Sequence, residues 1–192
     1  MQVVLLRHAQ SEANAGDFIN DDPRRPVGLT AVGREQARRA GEALRDFGFS
    51  HAWSSEFPRA RETAARVLAG QHCPLAIDPR LNERRSGLDG LPTATFNDLV
   101  RPDPVRIAPP QGESFLEVMA RVGAFFGDLQ TLPEDARVLV VSHENPIQAM
   151  LAVAGLDPDT ALREGIGNAT WRILVNPWPG STLDAAPAGA RA

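Results

Sequence analysis

Val138-Leu139-Val140-Val141-Ser142-His143-Glu144-Asn145-Pro146 decides how the rest of the chain is read. Four apolar residues in a row, cut off by polar ones, predict a strand over 138–141. Asn145 suits a helix cap, and Pro146 suits the first helical position, where a missing N–H costs nothing. The helix they start carries Ile147, Met150, Leu151 and Ala154 and stops at Gly155. A strand that feeds straight into a helix is the building unit of a layered α/β fold.

The same alternation extends outward. Val3-Val4-Leu5-Leu6 is a second short apolar run, ended by Arg7-His8. Thr30 then caps a segment with Gly33, Ala37, Ala40, Leu44 and Phe47 on one helical face. Residues 49–53 predict another strand, closed by Ser54-Ser55. Pro58 opens a helix whose buried side is Ala60, Ala64, Val67 and Leu68. Further strands are expected over 74–78 and 171–175. Ser114, with Glu117 three residues on, carries a capping-box signature. It precedes the apolar stripe of Phe115, Val118, Met119, Val122, Phe125, Phe126 and Leu129. Between 84 and 111 the periodicity fails amid glycines and prolines, and long irregular segments of this kind often serve as lids or binding loops.

No internal repeat or linker divides the chain. Residues 1–176 are expected to form one domain, and 177–192, rich in Pro, Gly and Ala, a weakly packed tail. The expected architecture is α/β, a three-layer αβα sandwich with a mostly parallel central sheet. Ligands in such sheets bind beyond the carboxyl ends of strands. His8 and His143 both lie there.

The chain has 192 residues, enough to bury one substantial core without disulfide or metal staples. With 43% hydrophobic and 23% charged residues, its composition is globular rather than disordered. A net charge of −4 disfavours nonspecific nucleic-acid binding. Cys73 stands alone, so no internal disulfide forms, and no Cys/His spacing suggests a structural zinc site. No apolar run reaches the ~18 residues of a membrane span. The run before Arg7 is shorter than a signal-peptide core, so a cytoplasmic location with no membrane partner is expected. All 20 basic side chains are arginine, so any anion site uses planar guanidinium forks.

The residues with chemistry to offer are scattered. Arg7 and His8 follow the first strand, and Asn14 lies six residues beyond His8. Arg59 stands in the first turn of a helix, where backbone N–H groups already favour an anion. Glu83 opens the irregular segment, and His143 sits between a strand and a helix start. Each alone has an ordinary structural reading. Together, Arg7, Arg59, Asn14, His143 and a helix N-terminus can surround one tetrahedral oxyanion. If a backbone carbonyl fixes one ring nitrogen of His8, the other is left as a nucleophile. Neighbouring arginines disfavour its imidazolium form. Glu83 could protonate the departing oxygen.

Arg7-His8-Ala9-Gln10-Ser11 resembles the Arg-His-Gly signature of the histidine phosphatase superfamily, the phosphoglycerate mutase-like proteins. Further blocks follow in the family's order. They are Leu29-Thr30 with Gly33 and Gln36-Ala37, then Ser54-Ser55 through Arg59-Ala60-Arg61-Glu62-Thr63-Ala64, then Leu81-Asn82-Glu83-Arg84. Gly112-Glu113-Ser114, Val141-Ser142-His143 and Asn168-Ala169-Thr170 complete the series. The resemblance runs from Val3 to about Val175. It implies a metal-independent phosphomonoesterase without a cofactor, acting on a small phosphorylated substrate. His8 would become a phosphohistidine, Glu83 would serve as the acid, and Arg7, Asn14, Arg59 and His143 would hold the phosphoryl oxygens. Two other outcomes stay open. One is cofactor-dependent, phosphoglycerate mutase-type phosphotransfer on the same His8, and the other is a non-catalytic phosphate-binding protein.

Three departures from the family pattern stand out. Ala9 replaces the usual glycine; one methyl could crowd the backbone near the phosphate, though variants of this kind fit the family's looser branches. Glu144 replaces a glycine after the second histidine, and its carboxylate is expected to point away from the pocket, toward a cationic leaving group if it meets one. The segment 84–111 is short and poor in paired basic residues for a glycolytic mutase. Arg84, Arg85, Arg101 and Arg106 are its candidates for a second anion clamp. The sequence leaves the oligomeric state open.

Overall fold

A computed structural model describes residues 1–177 and 182–184. Six strands, β1 Gln2–Arg7, β2 His51–Ser54, β3 Leu75–Ile77, β4 Arg137–Ser142, β5 Trp171–Val175 and β6 Thr182–Asp184, form one sheet. Their order is β3-β2-β4-β1-β5-β6. The first four strands are mutually parallel, with Leu5 opposite Val140 and Arg7 opposite Ser142. β5 runs antiparallel to β1, and β6 antiparallel to β5. Among the described residues the connecting α-helices are α1 Glu12–Gly16, α2 Ala31–Ala43, α3 Pro58–Val67, α4 Thr93–Val100, α5 Phe115–Leu129, α6 Glu144–Val153 and α7 Pro158–Arg163.

Side-chain alternation along the central strands makes the layers. Val3, Leu5, Val138 and Val140 join one core cluster with the apolar stripes of α5 and α6. Val4, Leu6, Leu139 and Val141 join another with Ala40 of α2 and Ala60, Ala64 and Val67 of α3. A strand buried on both faces must be apolar at every position, which is why these runs do not alternate in polarity. The three-layer α/β sandwich is therefore the fold, with a mostly parallel sheet.

The local differences have physical reasons. α2 ends at Ala43, and a 3-10 turn over Arg45–Phe47 follows, closed by Gly48 at φ 71°. Phe47 leaves the helical face and packs on Phe49, with ring centroids 4.8 Å apart. α6 begins two residues earlier than its cap signal implies: His143 is the N-cap, with ψ 177°, and Pro146 lies inside the first turn. α4 lies within the segment expected to be irregular. Only Val100 of its eight residues is buried, so no 3.6-residue period shows in the sequence. α1 and α7 are too short to show one. Of the tail 177–192, Thr182–Asp184 pairs as an edge strand, and residues 178–181 and 185–192 lie outside the described residues.

Candidate active site

The site is built where β1 and β4 end side by side. His8 and His143 follow these strands directly, and their ring centroids are 5.0 Å apart, edge to face. Both rings are buried. His8 Nδ1 lies 2.8 Å from the Ala9 carbonyl oxygen, which assigns the ring proton to Nδ1. Nε2 is then an acceptor, and the Arg59 Nε–H donates to it at 3.3 Å. Burial is the main force holding His8 well below the ordinary imidazole value, and the charges of Arg59 and Arg7 add to it. His143 is also depressed, first by burial and then by Arg59.

Arg59 is the hinge of the arrangement. Pro58 sets the first turn of α3, and Arg59 follows it. Its guanidinium packs over the Phe57 ring at 4.3 Å. Nη1 donates to Asn20 Oδ1 at 2.5 Å, and Nη2 donates to His143 Nδ1 at 3.3 Å. Among the described residues no carboxylate pairs with this buried cation. Burial lowers it to about 10. Arg7 is differently placed. Its Nη1 forms an ion pair with Glu144 at 2.9 Å and donates to the Ile166 carbonyl at 2.5 Å. Among the described residues its Nε is buried without a hydrogen-bond partner.

Glu83 lines the same pocket, a cavity of about 210 Å³ that also touches Arg7, His8, Asn14, Arg59 and Glu144. Loss of water around its carboxyl raises its pKa, against the pull of the Arg84 backbone N–H and the two arginines. The backbone beneath it is fixed at several points. The Ser142 hydroxyl donates to the Leu81 carbonyl at 2.7 Å, and Arg121 donates to the carbonyls of Arg80 at 2.6 Å and Glu83 at 3.2 Å. Asn14 is at the rim. Its Oδ1 is committed to capping α1 through Ser11 and accepts from Asn168 at 3.2 Å, which leaves its amide N–H groups for a ligand.

The six residues singled out from the sequence thus surround one region: Arg7, His8, Asn14, Arg59 and Glu83 line the cavity, and His143 backs it through Arg59 and His8. Sequence reasoning missed Asn20 and Ser55. Asn20 aims Arg59. The Ser55 hydroxyl lies 2.8 Å from His143 Nε2 and sets that ring's orientation. A buried Asn or Ser in a loop carries no distinguishing spacing. Asp21 was also missed; it accepts from the Ser86 N–H and hydroxyl and from the Gly87 N–H, and so holds the far wall to the rim.

The structure places the three departures from the family pattern and corrects one expectation, that Glu144 points away. Ala9 does not crowd the pocket: it is buried with Leu29, Ala37 and Ala169. The Glu144 carboxylate does not turn away, because its ion pair with Arg7 keeps it on the cavity wall. The four arginines of the wall form no second clamp. Arg84 donates to the carbonyls of Glu113, Pro104 and Ile107, and Arg85 to that of Gln111. Arg101 pairs with Asp98 and Arg106 with Asp103.

Two imidazoles and two guanidiniums around one small cavity define a phosphate-handling α/β enzyme with histidine at its centre. The chain belongs to the histidine phosphatase superfamily (branch 1), whose family model matches residues 3–181. It is a phosphatase of that superfamily. Among curated relatives it is 34% identical over 165 residues to "Probable phosphoglycerate mutase GpmB" of Proteus mirabilis, covering 81% of this chain and 76% of the relative. Among solved structures it resembles mycobacterial glucosyl-3-phosphoglycerate phosphatase in complex with VO3 (28% identity, TM-score 0.84, 96% and 97% of the two chains). The alpha-ribazole phosphatase from Shigella flexneri is similar at 25% identity and a TM-score of 0.85, covering 100% and 98%. Among the described residues no helix is long and apolar enough to cross a membrane.

Proposed function

We propose that this chain hydrolyses a small phosphomonoester through a phosphohistidine on His8, without a metal. The observation that carries the proposal is the bonding of the His8 ring. Nδ1 is engaged by its neighbour's carbonyl, and Nε2 keeps its lone pair at the floor of the cavity. Nε2 attacks phosphorus as the bond to the leaving oxygen breaks, and Glu83 gives that oxygen its proton. Water then attacks the phosphohistidine; the N–P bond breaks and the Glu83 carboxylate takes the water's proton. Arg59, Arg7 through the Nη2 group that neither Glu144 nor Ile166 engages, and the amide of Asn14 hold the non-bridging oxygens. His143 joins them by a tautomer exchange. The Ser55 hydroxyl can rotate to donate to Nε2, which puts the ring proton on Nδ1 as the Arg59 Nη2 group that donates there turns to the phosphate. Two guanidiniums supply the positive charge that phosphoryl transfer needs, so positioning and electrostatics account for the acceleration. A cytoplasmic location belongs to the same proposal, supported by the free, half-buried Cys73.

Labelled substrate should leave acid-labile label on the wild type within a single turnover and none on His8→Ala, whose turnover should vanish while its circular dichroism is unchanged. Wild-type turnover in His8→Ala would overturn the mechanism, as would EDTA inhibition rescued by a divalent cation. Mutase-type transfer on the same histidine is the second reading, favoured by the names of the sequence relatives. It predicts interconversion of phosphoglycerates without net release of phosphate.

A further inference from the structure

We propose that Glu144 selects the substrate: its carboxylate marks the leaving-group side of the pocket and favours phosphate esters of cationic amino alcohols over those of hydroxy acids. This rests on the phosphatase reading above and adds a substrate class to it.

The argument begins with position. The cavity over His8 adjoins a second one of about 430 Å³, and the two share Arg84, Phe96, Asn97, Glu144 and Asn145. A phosphate held at His8 and Arg59 lies in a cavity that Glu144 lines, so an alcohol that extends toward the outer cavity passes Glu144. The Glu144 side chain is 36% exposed and fixed by Arg7 at 2.9 Å. Arg7 need not release it to bind phosphate, because the ion pair and the Ile166 bond both use Nη1 and leave the Nη2 amino group.

Charge then decides which alcohol fits. Arg7, Arg59 and Arg84 face Glu144, Asp21 and a phosphate dianion, three positive charges against four negative while Glu83 is protonated, which leaves an excess of negative charge in the cavity. An ammonium on the alcohol cancels that excess, whereas a carboxylate or second phosphate enlarges it. Among the described residues no spare cation stands at the junction to receive a second anion. Arg84, the one cation that lines both cavities there, has its guanidinium donors on three backbone carbonyls. Beyond the junction the outer cavity carries Arg101, Arg163 and Asp159, with Arg101 paired to Asp98, so its far end has charge of both signs.

The test compares kcat/KM of wild type and Glu144→Gln for O-phosphoethanolamine, glycerol 3-phosphate and 3-phosphoglycerate, with p-nitrophenyl phosphate as reference. The wild type should prefer phosphoethanolamine to phosphoglycerate by at least about 10-fold, since like charges at close range are strongly disfavoured. Glu144→Gln should bring the ratio close to one, mainly by gains on phosphoglycerate. Normal turnover of p-nitrophenyl phosphate with a wild-type preference for phosphoglycerate, or with a ratio that Glu144→Gln does not move, overturns the selectivity role alone. Absence of turnover on all four substrates overturns the phosphatase reading, and this inference with it.

Discussion

Two buried arginines stand on opposite sides of the pocket and do opposite things. Arg59 is 4% exposed and Arg84 3%, and burial pulls each guanidinium down to about 10. Arg84 spends its donors on the carbonyls of Glu113 at 2.9 Å, Pro104 at 3.1 Å and Ile107 at 2.9 Å, and stacks over Phe96. It thereby satisfies backbone acceptors in a wall that has no sheet to pair with. Arg59 faces a side-chain amide and two imidazole nitrogens, the latter both at 3.3 Å. A buried cation without a carboxylate costs stability that only an arriving anion restores. Arg84 therefore keeps the shape of the wall, and Arg59 keeps charge in wait for a ligand.

Substituting both with the same apolar residue would break or sharpen this contrast. Arg59→Met should lower kcat on the order of 100–1,000-fold, the usual cost of losing one preorganised donor. Its melting temperature should stay level or rise, because an unpaired buried charge has gone. Arg84→Met should do the reverse. Three carbonyls lose their donors, so urea titration should show a loss of about 2–4 kcal/mol, while kcat on p-nitrophenyl phosphate stays within a few-fold. Equal destabilisation by the two variants would erase the distinction.

The same contrast explains what the sequence revealed. The floor was legible because strand ends and helix starts leave marks: an apolar run before His8, another before His143, and a proline before Arg59. Gly33 belongs here too. A Cβ there would lie 2.0 Å from the Gln10 carbonyl oxygen, so α2 can close on the loop after His8 only with glycine at that position. The wall was not legible. Its order comes from side-chain donors reaching 20 or more residues along the chain, such as Arg84 to Pro104, and from Gly87 at φ 70°, where a Cβ would lie 2.2 Å from the Pro110 carbonyl oxygen. Arg84 reads the same as any surface arginine until its partners are known. Glu144 was noticed as a departure from the family pattern, but the Arg7 ion pair that keeps it on the wall depends on Nη1 lying between the carboxylate and the Ile166 carbonyl, and no local spacing encodes that.

The smallest expected effect lies where floor and wall meet, at Glu83. Burial raises its pKa, the Arg84 N–H, Arg59 and Arg7 oppose, and the charge of Glu144 adds to the rise. As a general acid Glu83 works while protonated, so kcat/KM on an alkyl phosphate should fall as pH rises through its value. On the acid side the limb belongs to His8, which must be neutral; burial and the two arginines set that limb below the ordinary imidazole value. Glu144→Gln removes an upward push on Glu83 and should move the alkaline limb to lower pH, leaving the acid limb in place. An aryl phosphate needs no proton on its leaving oxygen and should show no such movement. Glu83→Gln should likewise harm alkyl phosphates more than aryl ones. An alkaline limb that moves upward in Glu144→Gln, or moves equally for both leaving groups, would mean that Glu144 does not act on the acid at all, and its place in the wall would then concern only what the alcohol carries.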